Sequence, residues 1–427
     1  MIDALLERFD VDERVAAAAR RAAASAPHPA AQRTRHRVAA RVLAAFSAEG
    51  IASDELAGRL GYGYDDTARD RYEALLARVF GAERVLARLS LVSGTHAIVT
   101  ALNACTPPGG RLVSATGRPY DTLRSAIVDA PDSLVERGLQ YDEVALDAAG
   151  GADLDGIARA CARAPAVVFV QRSRGYAARR SLSIADCAAI AWVAKDAAPA
   201  SVVIVDNCYG ELVEDREPTE VGADLAIGSL IKNLGGALAP GGGYVAGRAD
   251  LVERVASRHY APGLGAKVGS SLGFGRALIQ GLFQAPLVVA EALAGLDFAA
   301  ALFAELGFGV DPLPGALRAD IVQAIRLGSR ERLIAFARGL QRAMPLDARF
   351  APEPGPVPGY ADAVIMSGGA FVPGATIELS CDAPLRPPFE VYLQGGTQRE
   401  HVALGALLAA DGLARESILP ELPKQRV

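Results

Sequence analysis

Val202-Val203-Ile204-Val205-Asp206, read with Gly228-Ser229-Leu230-Ile231-Lys232-Asn233 downstream, is the stretch that decides the fold. Four consecutive apolar residues, three of them Val, predict a strand buried on both faces. Such strands belong to parallel sheets covered by helices. An acid at the carboxyl end of a buried strand is costly unless it meets a cation. Lys232 lies 26 residues beyond Asp206, ahead of Gly235-Gly236 and Gly241-Gly242-Gly243. This order of groups suits pyridoxal 5'-phosphate (PLP). Lys232 would carry the cofactor on its amine, and Asp206 would keep the pyridine nitrogen protonated, which makes the ring an electron sink. The apolar, Gly-rich setting is expected to lower the Lys232 pKa and leave a usable nucleophile and base. The plainer alternatives are a helix N-cap for Asp206 and a surface lysine for Lys232.

Outward from this stretch, short apolar runs alternate with helical patterns over residues 61 to 260. Strands are expected at 111–115, 166–171, 202–206, 223–229 and 243–246, and helices at 95–105, 120–130, 153–163 and 184–198. Alternation of this kind means βαβ units and an α/β fold with a mainly parallel sheet. Ligands then bind beyond the carboxyl ends of the strands, where Asp206, Gln171 and Ser93-Gly94-Thr95 fall. The expected organisation is an N-terminal helical segment (1–60), a PLP-binding large domain (61–300) and a smaller α+β C-terminal domain (301–427). In the first segment, Val38, Val42, Leu43 and Phe46 recur at helical spacing as one packing face, and Pro27-His28-Pro29 separates two helices. In the last, 320–325 and 376–380 read as strands.

At 427 residues and 51% hydrophobic content, the chain can bury a sizeable core. Its net charge of -5, with both signs interspersed, points away from nucleic-acid and membrane partners. The basic cluster Arg33, Arg35, His36, Arg37 and Arg41 lacks interleaved aromatics and reads as a solvated helix face. Five scattered cysteines with no C-x-x-C spacing argue against a disulfide framework or structural zinc. No metal site is expected. With no signal-peptide layout and no uncharged run of membrane-spanning length, the expected compartment is the cytoplasm.

Other residues join the constellation. Ser93-Gly94-Thr95 precedes an apolar helix, and N–H groups at a helix N-terminus cradle a phosphate. The alternative is an ordinary N-cap. Ser229 could add a hydroxyl to the same phosphate. Tyr120 could stack on the pyridine ring or simply pack in the core. Arg386 presents a planar fork suited to an α-carboxylate, or is a surface arginine in a Pro-rich loop. Arg179 is the next candidate for that clamp.

Longer stretches carry a resemblance. They are Ser93-Gly94-Thr95-His96-Ala97, Thr116-Gly117-Arg118-Pro119-Tyr120-Asp121-Thr122-Leu123, Gln171-Arg172-Ser173-Arg174-Gly175-Tyr176, Val205-Asp206-Asn207-Cys208-Tyr209-Gly210-Glu211 and Gly228-Ser229-Leu230-Ile231-Lys232-Asn233. Ala261-Pro262-Gly263-Leu264-Gly265, Ile377-Glu378-Leu379-Ser380 and Tyr392-Leu393-Gln394-Gly395-Gly396 extend it. Together, over residues 50 to 405, they resemble the methionine gamma-lyase-like, or "aluminium resistance", family. That family belongs to the cystathionine-lyase-related branch of fold-type I (aspartate aminotransferase-like) PLP enzymes. The resemblance implies that Lys232 is the PLP lysine, Asp206 the ring-nitrogen partner and Tyr120 the stacking aromatic. Gly94, Thr95 and Ser229 would meet the phosphate, and Arg386 is raised to the preferred clamp. Gly61-Tyr62-Gly63-Tyr64 resembles the segment that reaches a neighbouring subunit's phosphate, so Tyr62 and Tyr64 join the cofactor-binding set of a homodimer or homotetramer.

The chain departs from the family pattern at Ala177-Ala178-Arg179-Arg180-Ser181, at His259-Tyr260 and after Gly396. These departures border the substrate side more than the cofactor side. The expected activity is carbon–sulfur bond cleavage on an L-amino acid by β- or γ-elimination. A γ-replacement enzyme making an unusual amino acid is the near alternative, and a non-catalytic PLP-fold binding protein is the alternative from another class.

Overall fold

In the computed structural model, which describes residues 1–24 and 29–421, the chain divides into two compact units. One comprises residues 36–286. The other joins residues 1–35 to residues 287–427. Residues 1–60 are shared between the two units, and the later division falls at Pro286, inside the helix Gly275–Glu305.

The larger unit is built on seven strands: β1 (Arg84–Arg88), β2 (Arg111–Ser114), β3 (Gln140–Glu143), β4 (Val167–Gln171), β5 (Val202–Asp206), β6 (Leu225–Ser229) and β7 (Gly243–Gly247). Their order is β1-β7-β6-β5-β4-β2-β3. The β6-β5-β4-β2-β3 run is parallel, and β7 is antiparallel to both β6 and β1. Alternate residues of the central strands feed two cores. Phe169, Ile204 and Ile227 pack on one face with the helices Gly94–Cys105 and Ala249–His259. Val168, Val170, Val203 and Val205 pack on the other with Leu154–Cys161 and Ile184–Ala197. β4 and β5 have no solvent face, which is why they read as unbroken apolar runs.

Two local readings change. Of the expected face in the helix Pro29–Glu49, Val38 and Val42 are buried, but Leu43 is exposed and Ala45 takes its place; the face follows i, i+4, i+7. Phe46 lies against Phe283. Pro27 and His28, the expected helix break, lie outside the described residues. The basic cluster is partly ion-paired: Arg37 meets Asp215, and Arg41 meets Glu217 and Glu220.

The second unit holds β8 (Gly309–Asp311), β9 (Val322–Arg326), β10 (Val364–Gly368), β11 (Ser380–Pro384) and β12 (Glu390–Gln394) in the antiparallel order β10-β11-β12-β9-β8. The strand expected at 376–380 begins only at its last residue. The helices Arg330–Gln341 and Arg399–Arg415 pack together on this unit. The helix Glu13–Ala23 joins them through Val15, Ala18, Ala19 and Ala22, with Asp12 N–H donating to Asp411 Oδ1 at 3.0 Å. The helix Gly275–Glu305 is long and apolar enough to cross a membrane by length and composition, although Arg276, Glu291 and Asp297 interrupt it with charge. Fully 56% of its apolar window is buried inside the protein, as in a core helix.

Candidate active site

The site lies in the larger unit, where the carboxyl ends of the parallel strands share one edge of the sheet. β5 ends in Asp206, which is 4% exposed and registers against Gln171 of β4. Its Oδ1 accepts the Cys208 N–H at 3.1 Å. Burial raises the Asp206 pKa, and Lys232 and Arg179 oppose that rise. A charge-seeking carboxyl group is thus held where water cannot serve it.

β6 runs out at Ser229 and the chain turns through Leu230 and Ile231 to Lys232. The Lys232 Nζ stands 3.7 Å from the Tyr209 ring centroid, a cation–π contact. Tyr209 and Leu212 both hold left-handed backbone (φ 72° and 62°), local strain of the kind that collects at functional sites.

The expected lowering of the Lys232 pKa does not occur. Burial does pull it down, but the negative forms of Cys208, Tyr209, Asp206 and Tyr120 outweigh that, and the amine is held well above its ordinary value. Burial and Asp206 push the Cys208 thiol and the Tyr120 phenol well up in turn. Neither is ionised at neutral pH, so Asp206 is the acid that matters to the amine.

The candidate anion cradle is the N-terminus of the helix Gly94–Cys105. The exposed Ser93 is spent as its N-cap, with Oγ accepting the His96 N–H at 3.1 Å. Gly94 is needed for close approach: a methyl group there would stand 3.0 Å from Cys208 Sγ and 3.6 Å from Ser229 Cβ. Gly94 therefore brings the cradle against the ends of β5 and β6. Thr95 Oγ1 and the Tyr120 hydroxyl are 2.9 Å apart, which ties the cradle to the aromatic. Ser229 Oγ donates to the Gly242 carbonyl at 3.4 Å.

Gln171, Arg179 (the second clamp candidate) and Arg172 surround these. Gln171 Oε1 accepts the Tyr120 N–H at 2.9 Å, and its Nε2 donates to Ser173 O at 2.9 Å. Arg179 gives its N–H groups to the carbonyls of Gln171 (2.9 Å) and Ser173 (2.5 Å), so it braces the loop that holds Tyr120. Arg172, fully buried, donates to Asn207 Oδ1 at 2.6 Å and Gly210 O at 2.9 Å and pairs with Glu214 at 2.6 Å. A charged residue directly after a buried strand was the only signal for it.

Tyr62 and Tyr64 stand apart, 78% and 56% exposed, with ring centroids 6.1 Å from each other. Their loop is pinned from within. Arg69 Nη1 donates to Gly63 O at 2.7 Å, Gly269 N–H donates to Tyr62 O at 2.9 Å, and Asp66 accepts from Ser271 N–H at 2.7 Å. A Cβ at Gly63 (φ 70°) would sit 2.5 Å from the Ser270 backbone. Arg386 belongs to the other unit, where its Nη1 is 3.3 Å from Asp362 Oδ2.

A buried acid, an amine, an aromatic and a helix N-terminus converge here. Their donor and acceptor chemistry fits PLP: a carboxylate for a ring N–H, N–H groups for a phosphate, and a glycine where a side chain would block the approach.

Comparison with known proteins agrees. The family model described as "Methionine gamma-lyase" matches residues 15–414. The uncharacterized protein YnbB of Bacillus subtilis is 41% identical over 383 residues, 89% of this chain and 91% of YnbB. The crystal structure of a carbon-sulfur lyase involved in aluminum resistance from Clostridium novyi superimposes with a TM-score of 0.89 at 38% identity, covering 96% of this chain and 98% of that one. The L-methionine gamma-lyase of Pseudomonas putida is 28% identical over 195 residues, 46% of this chain and 45% of that enzyme.

Proposed function

The chain belongs to the methionine gamma-lyase family and has the fold-type I architecture, and from that premise we propose that it is a PLP-dependent carbon–sulfur lyase that eliminates from an L-amino acid. The observation that carries the reading is a buried Asp206 and Lys232 close enough to act on each other's charge, beside the N-terminus of the helix Gly94–Cys105. A non-catalytic relic would have no physical need to keep a desolvated acid there.

When bound, PLP supplies an electron-withdrawing ring that stabilises negative charge at the substrate α-carbon. Asp206 keeps a proton on the ring nitrogen. The N–H groups at Gly94 and Thr95, with Ser229, hold the phosphate. Lys232 Nζ would hold the cofactor and, once deprotonated in doing so, would move the α-proton and, for a leaving group on Cγ, a β-proton as well. The Tyr120 phenol, kept neutral by burial, can protonate the departing thiolate. Arg386 is the proposed clamp for the α-carboxylate. The test is incubation with a panel of sulfur-containing L-amino acids, assaying thiol, ammonia and 2-oxo acid together. All three should form from at least one of them; none forming from any would overturn the reading.

Arg386→Lys should raise KM about tenfold with PLP content unchanged, because a point charge cannot replace a bidentate fork. An unchanged KM would move the clamp elsewhere.

The proposed active unit is at least a homodimer, with Tyr62 and Tyr64 completing the partner's site. Their exposure, with that of Val92, Leu272 and Phe274, leaves an apolar surface that a symmetric copy would cover. Mixing inactive Lys232→Ala with a cofactor-weak Tyr64→Phe variant and allowing exchange should restore up to about a quarter of wild-type sites, since mixed dimers hold one intact site. No recovery, or a fully active monomer by light scattering, would end the idea.

A further inference from the structure

Glu211 is a buried acid that the chemistry above leaves unused. It is fully buried, and its Oε1 accepts the hydroxyl of Tyr244 on β7 at 2.9 Å. Gly228 of β6 presses on both groups: a Cβ there would lie 2.6 Å from Glu211 Oε1 and 2.8 Å from the Tyr244 oxygen. The other oxygen, Oε2, has no hydrogen-bond partner. Asn233, the residue after Lys232, shares the cluster. Its Nδ2 donates to the carbonyls of Tyr209 (3.0 Å) and Glu211 (2.8 Å), and that contact stitches the Lys232 turn to the Tyr209 turn. Its Oδ1 is also buried without a donor. Exchanging the ends of the amide would set Oδ1 against two carbonyl oxygens, so its orientation is fixed by the network.

Two buried acceptors with no donor are costly as they stand. One proton on Oε2 removes the buried charge and leaves one unserved acceptor fewer. We propose that Glu211 is held as a neutral acid against the Tyr244 hydroxyl, and that it is a positioning residue for the turn carrying Lys232, which its backbone carbonyl holds through Asn233.

The surrounding charges agree. Burial pushes the Glu211 pKa up to about 8, its own backbone N–H, Tyr244 and Lys232 draw it down, and Glu217 pushes it up. Tyr244 and Cys208, the other titratable groups facing it, are both driven well upward, first by burial. Glu217 is likewise raised by burial, against Arg41 and Arg172. The unfolded acid titrates near 4.5, so the folded chain keeps a proton that the unfolded chain releases. The stability due to this group is complete below about pH 4.5, declines as pH rises, and is gone above about 8.

The test uses the full-length protein and two variants. At neutral pH, infrared spectra of the wild type should contain a protonated carboxylic-acid carbonyl band that is missing from Glu211→Gln and that fades as pH is raised through about 8. The melting temperature of the wild type relative to Glu211→Gln should fall from about pH 5 to about pH 8 and then level off. In turnover, Glu211→Gln, which can still donate, should stay within about twofold of wild type. Glu211→Leu should lose about tenfold in kcat with KM little changed, the effect of one lost hydrogen bond. A missing band, or a Gln variant as damaged as the Leu variant, would show a working carboxylate and overturn the proposal. A fully active Leu variant would overturn the positioning role. The kinetic arm rests on the proposed lyase reading; the infrared and melting arms do not, so failure of one is distinguishable from failure of the other.

Discussion

Lys232→Ala should abolish turnover, with a loss of roughly four orders of magnitude or more, the upper end of what one positioned acid–base group supplies. In the proposed mechanism this amine both carries the cofactor and moves the substrate protons, so no neighbour can replace it. Tyr120 and Cys208 are held protonated by burial and are poor bases at neutral pH. The cradle at Gly94 and Thr95 is untouched by the substitution, so PLP should still bind, more weakly and without a covalent link. Borohydride reduction of the wild type followed by peptide mapping should find the pyridoxyl label on Lys232. Label on another lysine, or residual turnover within a hundredfold of wild type, would overturn the assignment.

Asp206→Asn should fold normally and lose at least about a hundredfold in kcat. The amide keeps an oxygen to accept the Cys208 N–H, and a buried group whose charge is disfavoured by desolvation becomes neutral. An amide cannot hold a proton on the ring nitrogen. A hydrogen bond to a charged group contributes about 1.5–3 kcal/mol, and the benefit to the developing carbanion adds to it. The variant should bind PLP, measured by its absorbance, while single-turnover kinetics show slow removal of the α-proton. A rate within a few-fold of wild type would mean that the ring is not the electron sink.

The legible parts of this fold are those that burial on both faces imposes. β4 and β5 announce themselves because every residue is covered. β1 (Arg-Val-Leu-Ala-Arg) and β3 (Gln-Tyr-Asp-Glu) lie at the two edges of the sheet, carry charge, and escape an apolar-run criterion. The same contrast holds at the site. Asp206 and Lys232 are visible because spacing along the chain implies their meeting. The Gln171 contact to Tyr120 and the Arg179 brace join backbone groups across loops, and no local pattern encodes them. The Lys232 pKa is hidden for a related reason: apolar neighbours are apparent in sequence, whereas Cys208, Tyr209 and Asp206 act on the amine only through the folded turn.

The antiparallel seat of β7 between β6 and β1 has a consequence for synthesis on the ribosome. β1 has one hydrogen-bonding neighbour, and that neighbour is made about 155 residues later. At roughly 5–20 residues per second, Val85, Leu86 and Ala87 wait about 10–30 s for a partner, an apolar strand that any other nascent edge could join. Arg84 and Arg88 bracket it during that interval, the placement that discourages premature pairing between chains. In the finished fold Arg88 lies inside, where it pairs with Glu73 and donates to the carbonyls of Ala266 and Val268. One side chain guards the strand while it is alone and fastens it once it is paired.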